Sequence, residues 1–187
     1  LTSYTEGGAA AAIADTDVAI TDPDSANMVS ATIVLTNAKT GDVLSVGTLP
    51  AGISSSVDTS VSGQITVTLT GSATKANYET ALKAVTFSST NSNPDTTTRT
   101  VTVKVNDGTS DSATATTSIT FSAVDNAPSV DLDANNSSTA TGNNYLTSYT
   151  EGGAAAAIAD TDVAITDPDS ANMVSATIVL TNAKTGD

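Results

Sequence analysis

The 187 residues of this chain predict an all-β fold, an antiparallel β-sandwich carrying one short helix. Three observations carry that expectation. Apolar residues alternate with threonine and serine along several runs, which is the period of a strand with one buried face. Gly41, Gly47, Pro50, Gly52, Gly63, Gly71, Pro94 and Gly108 separate those runs at short spacing. One stretch alone, 74–83, changes to a helical period.

The elements follow in order. Val29, Ala31, Ile33 and Leu35 alternate with Ser30, Thr32 and Thr36, and Ile65, Val67 and Leu69 alternate with Thr66 and Thr68. Thr74 can cap a helix, after which Tyr78, Ala81, Leu82 and Val85 fall at i, i+3, i+4 and i+7. A short helix over 74–83, laid across the sandwich, is therefore predicted, followed by a strand at 84–88. Val101, Val103 and Val105 alternate with Thr102 and Lys104, and Ile119 and Phe121 close a last run after a Thr/Ala ladder. Threonine suits the outer face because a β-branched side chain fits a pleated surface. Short strands punctuated in this way point to a sandwich.

Residues 1–42 recur letter for letter as 146–187, a period of 145 residues. An unsubstituted repeat at a fixed period marks a tandem array, and this period is long enough for one ordinary domain. Pro128 cannot donate in a sheet interior and follows the turn-forming pair Asp125-Asn126, which places the module boundary there. The expected domains are 1–127, a repeat lacking its first strand, and 128–187, the N-terminal part of the next identical repeat. The Asn/Ser/Thr-rich stretch 134–144 is expected as a loop after that first strand.

The formal net charge is -14, with six Lys+Arg and no His. Nucleic acid and anionic membrane are poor partners for such a surface, since both are met by basic patches. Divalent cations suit it. There is no Cys, which removes disulfides, thiolate metal sites and Cys nucleophiles. No apolar run approaches the roughly 18 residues of a membrane helix. With aromatics at 3%, the core is built of Val, Ile, Leu and Ala, and an added staple is expected.

Acids gather in short register at Glu6, at Asp15 and Asp17, at Asp22 and Asp24 with Asn27, and at Asn106-Asp107-Gly108. Asp125-Asn126 with Asp131 and Asp133 add more at the boundary. In extended chain, i and i+2 side chains point the same way, so an Asp-x-Asp pair presents two carboxylates together. Two such charges repel unless protonated or bridged by a cation. Ca²⁺ takes 6–8 hard oxygens and matches this inventory better than Mg²⁺, which keeps more water. Asp15 and Asp17 fail as an EF-hand loop, because Ile20 stands at the Gly position and Ala26 at the bidentate Glu position. A solvated strand edge is the reading for that pair.

The segment DPDSANMVSATIVL at 22–35 resembles the cadherin Asp-x-Asp-x-Gly-x-Asn motif and the strand after it. VNDGTSDSATATTSITFSAVDNAPSV at 105–130 resembles the cadherin Ala-x-Asp-x-Gly turn, final strand and linker, and TEGG resembles the first-strand Glu. With ATKANYETALKAVTFSST, the whole period resembles the cadherin-like repeats of giant bacterial surface adhesins, the extender repeats of RTX or Bap type. The resemblance implies a cadherin- or immunoglobulin-like sandwich with Ca²⁺ between consecutive domains. Glu6, Asp125 and Asn126 would meet Asp167, Asp169 and Asn172 of the next module at one junction, and Asp22, Asp24, Asn27 and Asp107 would cluster at the opposite end. Glu151 is the second copy of Glu6. The sequence departs from the pattern where Ser122 and Val124 replace linker ligands, Ala26 replaces the Gly, and no Asp-Arg-Glu motif occurs. Fewer ions than at a full cadherin junction are implied.

Catalysis is not expected. Without His or Cys most triads are excluded, and a glycosidase working through paired carboxylates would need an aromatic cleft. The chain has two Phe, four Tyr and no Trp. The expected function is a structural extender: a calcium-stabilised repeat of a long extracellular adhesin or biofilm filament on a bacterial cell surface, holding a distal binding region away from the cell. The alternative is a repeated low-affinity module for carbohydrate or protein, with avidity summing the contacts. The scarcity of aromatic and Arg anchors favours the extender. The expected partners are neighbouring repeats of the same chain or another copy head to tail, including by strand complementation, because an open sheet edge is a template for an added strand.

Overall fold

Alternating Ile, Val, Leu and Thr give extended chain with one greasy face, and two such faces must cover each other. The computed structural model describes residues 2–185. The chain divides into two compact units, Leu1–Val124 and Asp125–Asp187. Most of the secondary structure lies in the first.

Unit 1 contains β1 (Thr2–Thr5), β2 (Ala11–Ala12), β3 (Asn27–Leu35), β4 (Asp42–Val46), β5 (Ser54–Asp58), β6 (Ile65–Thr74), α1 (Lys75–Lys83), β7 (Val85–Ser89), β8 (Arg99–Asn106) and β9 (Ala115–Ser122). One sheet has six strands in the order β1-β9-β8-β3-β6-β5, and the other has three in the order β2-β7-β4. All pairings are antiparallel except β1 with β9, which run parallel with Thr2 opposite Ile119. The two sheets close on a single core. Ile33, Leu35, Val67, Leu69, Val101 and Ile119 of the large sheet meet Val85, Phe87 and Leu44 of the small one. Tyr4, Phe87 and Phe121 pack edge to face, with ring centroids 5.1 to 6.2 Å apart. Three of the six aromatic rings are thus spent at one point of the core.

The helix forms as its pattern predicts. The Thr74 side chain accepts from the Asn77 backbone N–H, and Tyr78, Ala81 and Leu82 are its buried residues. It ends at Ala84, whose N–H bonds back to Thr80 and Ala81. Two strands run longer than the alternation alone suggests, β3 beginning at Asn27 and β6 extending to Thr74, while β7 has the predicted length and is shifted by one residue, covering Val85–Ser89 where 84–88 was predicted.

A bulge marks the β3–β6 ladder, where the register shifts between Met28 and Ser30. On β6 it falls at Gly71, whose φ is +131°. A Cβ built there would stand 1.9 Å from the Gly52 carbonyl oxygen, so another backbone occupies the space a side chain needs. Gly52 also has positive φ, at +88°, but faces open space. Gly71→Ala is accordingly expected to destabilise unit 1 by about 2–3 kcal/mol, and Gly52→Ala by about 1 kcal/mol. Urea unfolding of the two variants checks the order; equal losses would show that the Gly52 backbone yields without cost.

Unit 2 contains β10 (Ser129–Asp131) and β11 (Ala164–Thr166), paired antiparallel with Val130 opposite Ile165. The stretch 134–144 forms turns and loop, as expected from its composition. The remainder of the second copy, although identical in sequence to the start of unit 1, takes another form. Residues 173–180 repeat the sequence of Met28–Leu35 yet form no strand and are exposed along their length. Tyr4 is 2% exposed and its counterpart Tyr149 is 64% exposed. The reason lies in partners: β3 is stitched between β6 and β8, and the 187 residues hold no second copy of either.

Candidate metal centre

Asp, Asn and Ser accept hydrogen bonds from backbone N–H groups two to four residues on, so a stretch dense in them folds onto itself. The loop after β10 does this. Asp131 accepts from the Asp133 N–H at 3.1 Å, and Asn135 from the Ser137 N–H at 2.8 Å. The Asp133 carboxylate, fully buried, accepts from the N–H groups of Ser137 at 2.9 Å and Ser138 at 2.8 Å. Asn136 and Thr139 take positive φ, at 54° and 68°, to keep the loop this tight.

The β10–β11 pairing brings this loop against a turn of the second copy. Asp160 donates its N–H to the Leu132 carbonyl at 2.8 Å, Asn135 donates its N–H to the Asp162 carboxylate at 3.0 Å, and the Ser137 hydroxyl donates to Asp160 at 2.7 Å. As a result Asp133, Asp160 and Asp162 each present an oxygen within 4.8 Å of the others. Among the described residues no other three acids converge so closely. Hydrogen bonds from the Ser138 side chain first, then from the Ser138 and Ser137 backbone, hold Asp133 below the usual carboxylate range against the opposing effect of its burial. The Ser137 hydroxyl does the same for Asp160, against the charge of Asp133. Both carboxyls are therefore ionised at neutral pH. The Oδ1 of Asp162 is buried and meets no hydrogen-bond donor. A buried carboxylate oxygen without a donor costs about 1–3 kcal/mol or more. Close negative charges facing one lone-pair site are the donor set that a hard divalent cation satisfies.

The predicted ligands are distributed as follows. In unit 1, Asp22, Asp24 and Asp107 lie together. Ser25 donates its N–H to Asp22 at 2.9 Å and its hydroxyl to Asp107 at 2.8 Å. Asp107 also accepts from the N–H groups of Thr109 and Ser110, which with Ser25 keep its pKa low. The Ser25 and Asp24 groups lower the pKa of Asp22, while that of Asp24 is raised by its hydrogen bond to Asp22 and by the charge there. Lys75 places its ammonium 2.7 Å from the Asp22 backbone carbonyl, supplying a positive charge in that corner. Asn27 enters β3 opposite Thr74 and is exposed. Glu6 is half-buried and accepts from the Val124 N–H at 2.9 Å.

In unit 2, Asn126 and Asp169 meet: the Asn126 N–H donates to the Asp169 carboxylate at 2.8 Å, which lowers its pKa. Asp167 accepts from the N–H groups of Asp169 and Ser170, repeating the Asp22 turn. Asp125, Glu151 and Asn172 are exposed.

Asp133, Asp160 and Asp162 were not among the predicted ligands. Asp160 and Asp162 are the second copies of Asp15 and Asp17, read from sequence as a solvated strand edge. In unit 1 that reading fits their exposure, though they sit on a turn where a strand edge was predicted. In unit 2 the same dipeptide spacing becomes part of a cluster, because there the 131–138 loop lies against it. The Asp-x-Asp-x-Asn spacing at 131–135 was the available signal. Among the described residues no helix is long and apolar enough to cross a membrane. No protein-family model matches the chain, and no curated protein sequence matches it significantly.

Proposed function

We propose that this chain is a calcium-stabilised structural repeat: a non-enzymatic extender of a long extracellular adhesin or filament, in which identical modules follow one another and hold a distal region away from a bacterial surface. The observation that carries the calcium reading is the convergence of Asp133 with Asp160 and Asp162 around a buried oxygen lacking a donor. These acids come from two segments that a cation would tie together, so binding would stabilise unit 2 where its apolar core is thin. The verbatim repeat carries the array reading, since a spacer is lengthened by copying and needs no variation among its units. The likeness of the DPDSAN, NDG and DNAP segments to cadherin motifs supports the same class.

The test is thermal unfolding of the full chain with calcium and with chelator. Ligand at 100 times its Kd stabilises by about 2.7 kcal/mol, on the order of 10 °C for a unit of this size. That gain is expected to vanish in Asp133→Asn and Asp162→Asn and to persist in Asp125→Asn. An unchanged melting temperature on adding calcium, or a gain that survives Asp133→Asn, would remove calcium from this site.

A further inference from the structure

The sequence Thr-Asp-Pro-Asp-Ser-Ala-Asn occurs at 21–27 and again at 166–172, and each copy contains one Asp-Pro bond. Such a bond has an intrinsic weakness. The Asp carboxylate reaches its own carbonyl carbon through a five-membered ring, and the proline nitrogen, once protonated, leaves as a secondary amine. The reaction is slow unless the carboxylate is aimed and the charge developing on the carbonyl oxygen is stabilised.

Both copies aim the carboxylate. Asp22 accepts from the N–H groups of Asp24 at 3.1 Å and Ser25 at 2.9 Å, and Asp167 from those of Asp169 at 3.1 Å and Ser170 at 2.8 Å. A carboxylate bonded to residues two and three ahead leans forward over its own peptide bond to proline. Unit 1 adds a cation. Lys75 opens α1, and the pairing of Asn27 with Thr74 brings that end of the helix beside the 22–26 turn. The Lys75 ammonium donates to the Asp22 carbonyl oxygen at 2.7 Å. Three acids share this corner, Asp22, Asp24 and Asp107, yet among the described residues Lys75 forms no ion pair. Its charge is spent on the carbonyl of the Asp-Pro bond. The Ser25 hydroxyl, bonded to Asp107 at 2.8 Å, pins the turn from the β8 side. The 187 residues hold no second copy of Lys75, so Asp167-Pro168 is the same bond without the cation.

We propose that Asp22-Pro23 is a self-cleaving peptide bond, with the Asp22 carboxylate as nucleophile and the Lys75 ammonium as the group that holds the oxyanion. A carboxylate oxygen attacks the Asp22 carbonyl carbon, and the C=O electron pair moves onto the oxygen beside Lys75. That pair then returns, the bond to the Pro23 nitrogen breaks, and the nitrogen takes a proton from solvent. The products are a cyclic anhydride at Asp22 and a new N-terminal Pro23. One water molecule opens the anhydride and leaves Asp22 as a free C-terminus. The cut falls between β2 and β3, and the residues before it stay attached through the β1–β9 and β2–β7 ladders. Unit 1 therefore persists as two paired pieces. The reaction is independent of the extender role and of calcium.

The experiment follows both Asp-Pro bonds of the full chain by intact mass and N-terminal sequencing, over days in mildly acidic buffer with chelator. An oxyanion donor in a dry enzyme site is worth roughly 10²–10³ in rate; Lys75 is half-buried, so a preference on the order of tenfold for 22–23 over 167–168 is expected. Lys75→Met, checked for folding by circular dichroism, is expected to bring the two rates together. Urea is expected to do the same without any substitution, because the residues flanking the two bonds are identical. Hydroxylamine in the buffer is expected to leave a hydroxamate on Asp22, which an anhydride yields and direct hydrolysis does not. The proposal is overturned by an uncut 22–23 bond, by equal cutting at both bonds in the folded chain, by a preference that survives Lys75→Met or urea, or by a cut without hydroxamate.

Discussion

Arg99→Ala is expected to destabilise unit 1 by about 3–5 kcal/mol, the cost of leaving one buried charge without its partner. Arg99 opens β8 in the large sheet and Asp42 opens β4 in the small one, and both side chains are 0% exposed. The guanidinium Nε donates to one Asp42 oxygen at 2.6 Å and Nη2 to the other at 3.3 Å, a two-pronged grip across the sandwich. Two further donors are used as well: Nη2 reaches the Asp95 carbonyl at 2.8 Å, and Nη1 bonds the Thr97 carbonyl. The Phe121 ring covers the group, with its centroid 5.1 Å from Cζ. Alanine removes all of this and strands the Asp42 carboxylate in a dry site. The double variant Arg99→Met with Asp42→Leu is expected to recover part of the loss, because it removes both desolvated charges together. Urea unfolding of the single and double variants decides it. A single-variant loss under about 1 kcal/mol would mean that water reaches Asp42 and the latch is ornamental.

Nothing in the sequence marks that latch. Asp42 and Arg99 are 57 residues apart and neither lies in an unusual motif. The sandwich itself was legible, and so was the helix with its Thr74 cap, because alternation and capping are written within a few residues. Strands β3, β6, β8 and β9 show the period of two. Strand β5, SSSVD, is exposed throughout and carries no such pattern, so only its ladder with β6 defines it. The parallel seating of β1 beside β9 was hidden as well, since it depends on a pairing across more than a hundred residues.

The two copies of 1–42 separate local from non-local information within one molecule. Their turns agree. Gly8 donates to the Thr5 carbonyl at 2.9 Å and Gly153 to that of Thr150 at 2.8 Å; Asp22 and Asp167 each accept from the residues two and three ahead. Such contacts close within four residues and need nothing else. The strands disagree, because a ladder requires a neighbour. The acidic cluster follows the same logic: Asp160 and Asp162 could be read as a pair, but their convergence with Asp133 needed the β10–β11 ladder, which local spacing does not announce.

That contrast gives the second large expected effect, in a matched pair of variants. Ile33→Ala is expected to cost unit 1 about 2–5 kcal/mol, and Ile178→Ala, the same substitution in the same local sequence, to stay within about 0.5 kcal/mol. Ile33 is 0% exposed and sits between Val67 of β6 and Val103 of β8; Ile178 is 73% exposed with neither neighbour. Truncation at 33 leaves a cavity in a packed layer, whereas truncation at 178 removes methyl groups that water already surrounds. Helix and strand propensities, charge and flanking residues are identical, so they cancel in the comparison, and what remains is burial alone. The measurement is the chemical unfolding midpoint of unit 1 in each variant of the full chain. A comparable loss from Ile178→Ala would show that the second copy occupies the β6–β8 slot in part of the population, displacing the first; a negligible loss from both would show that β3 is not the centre of the core.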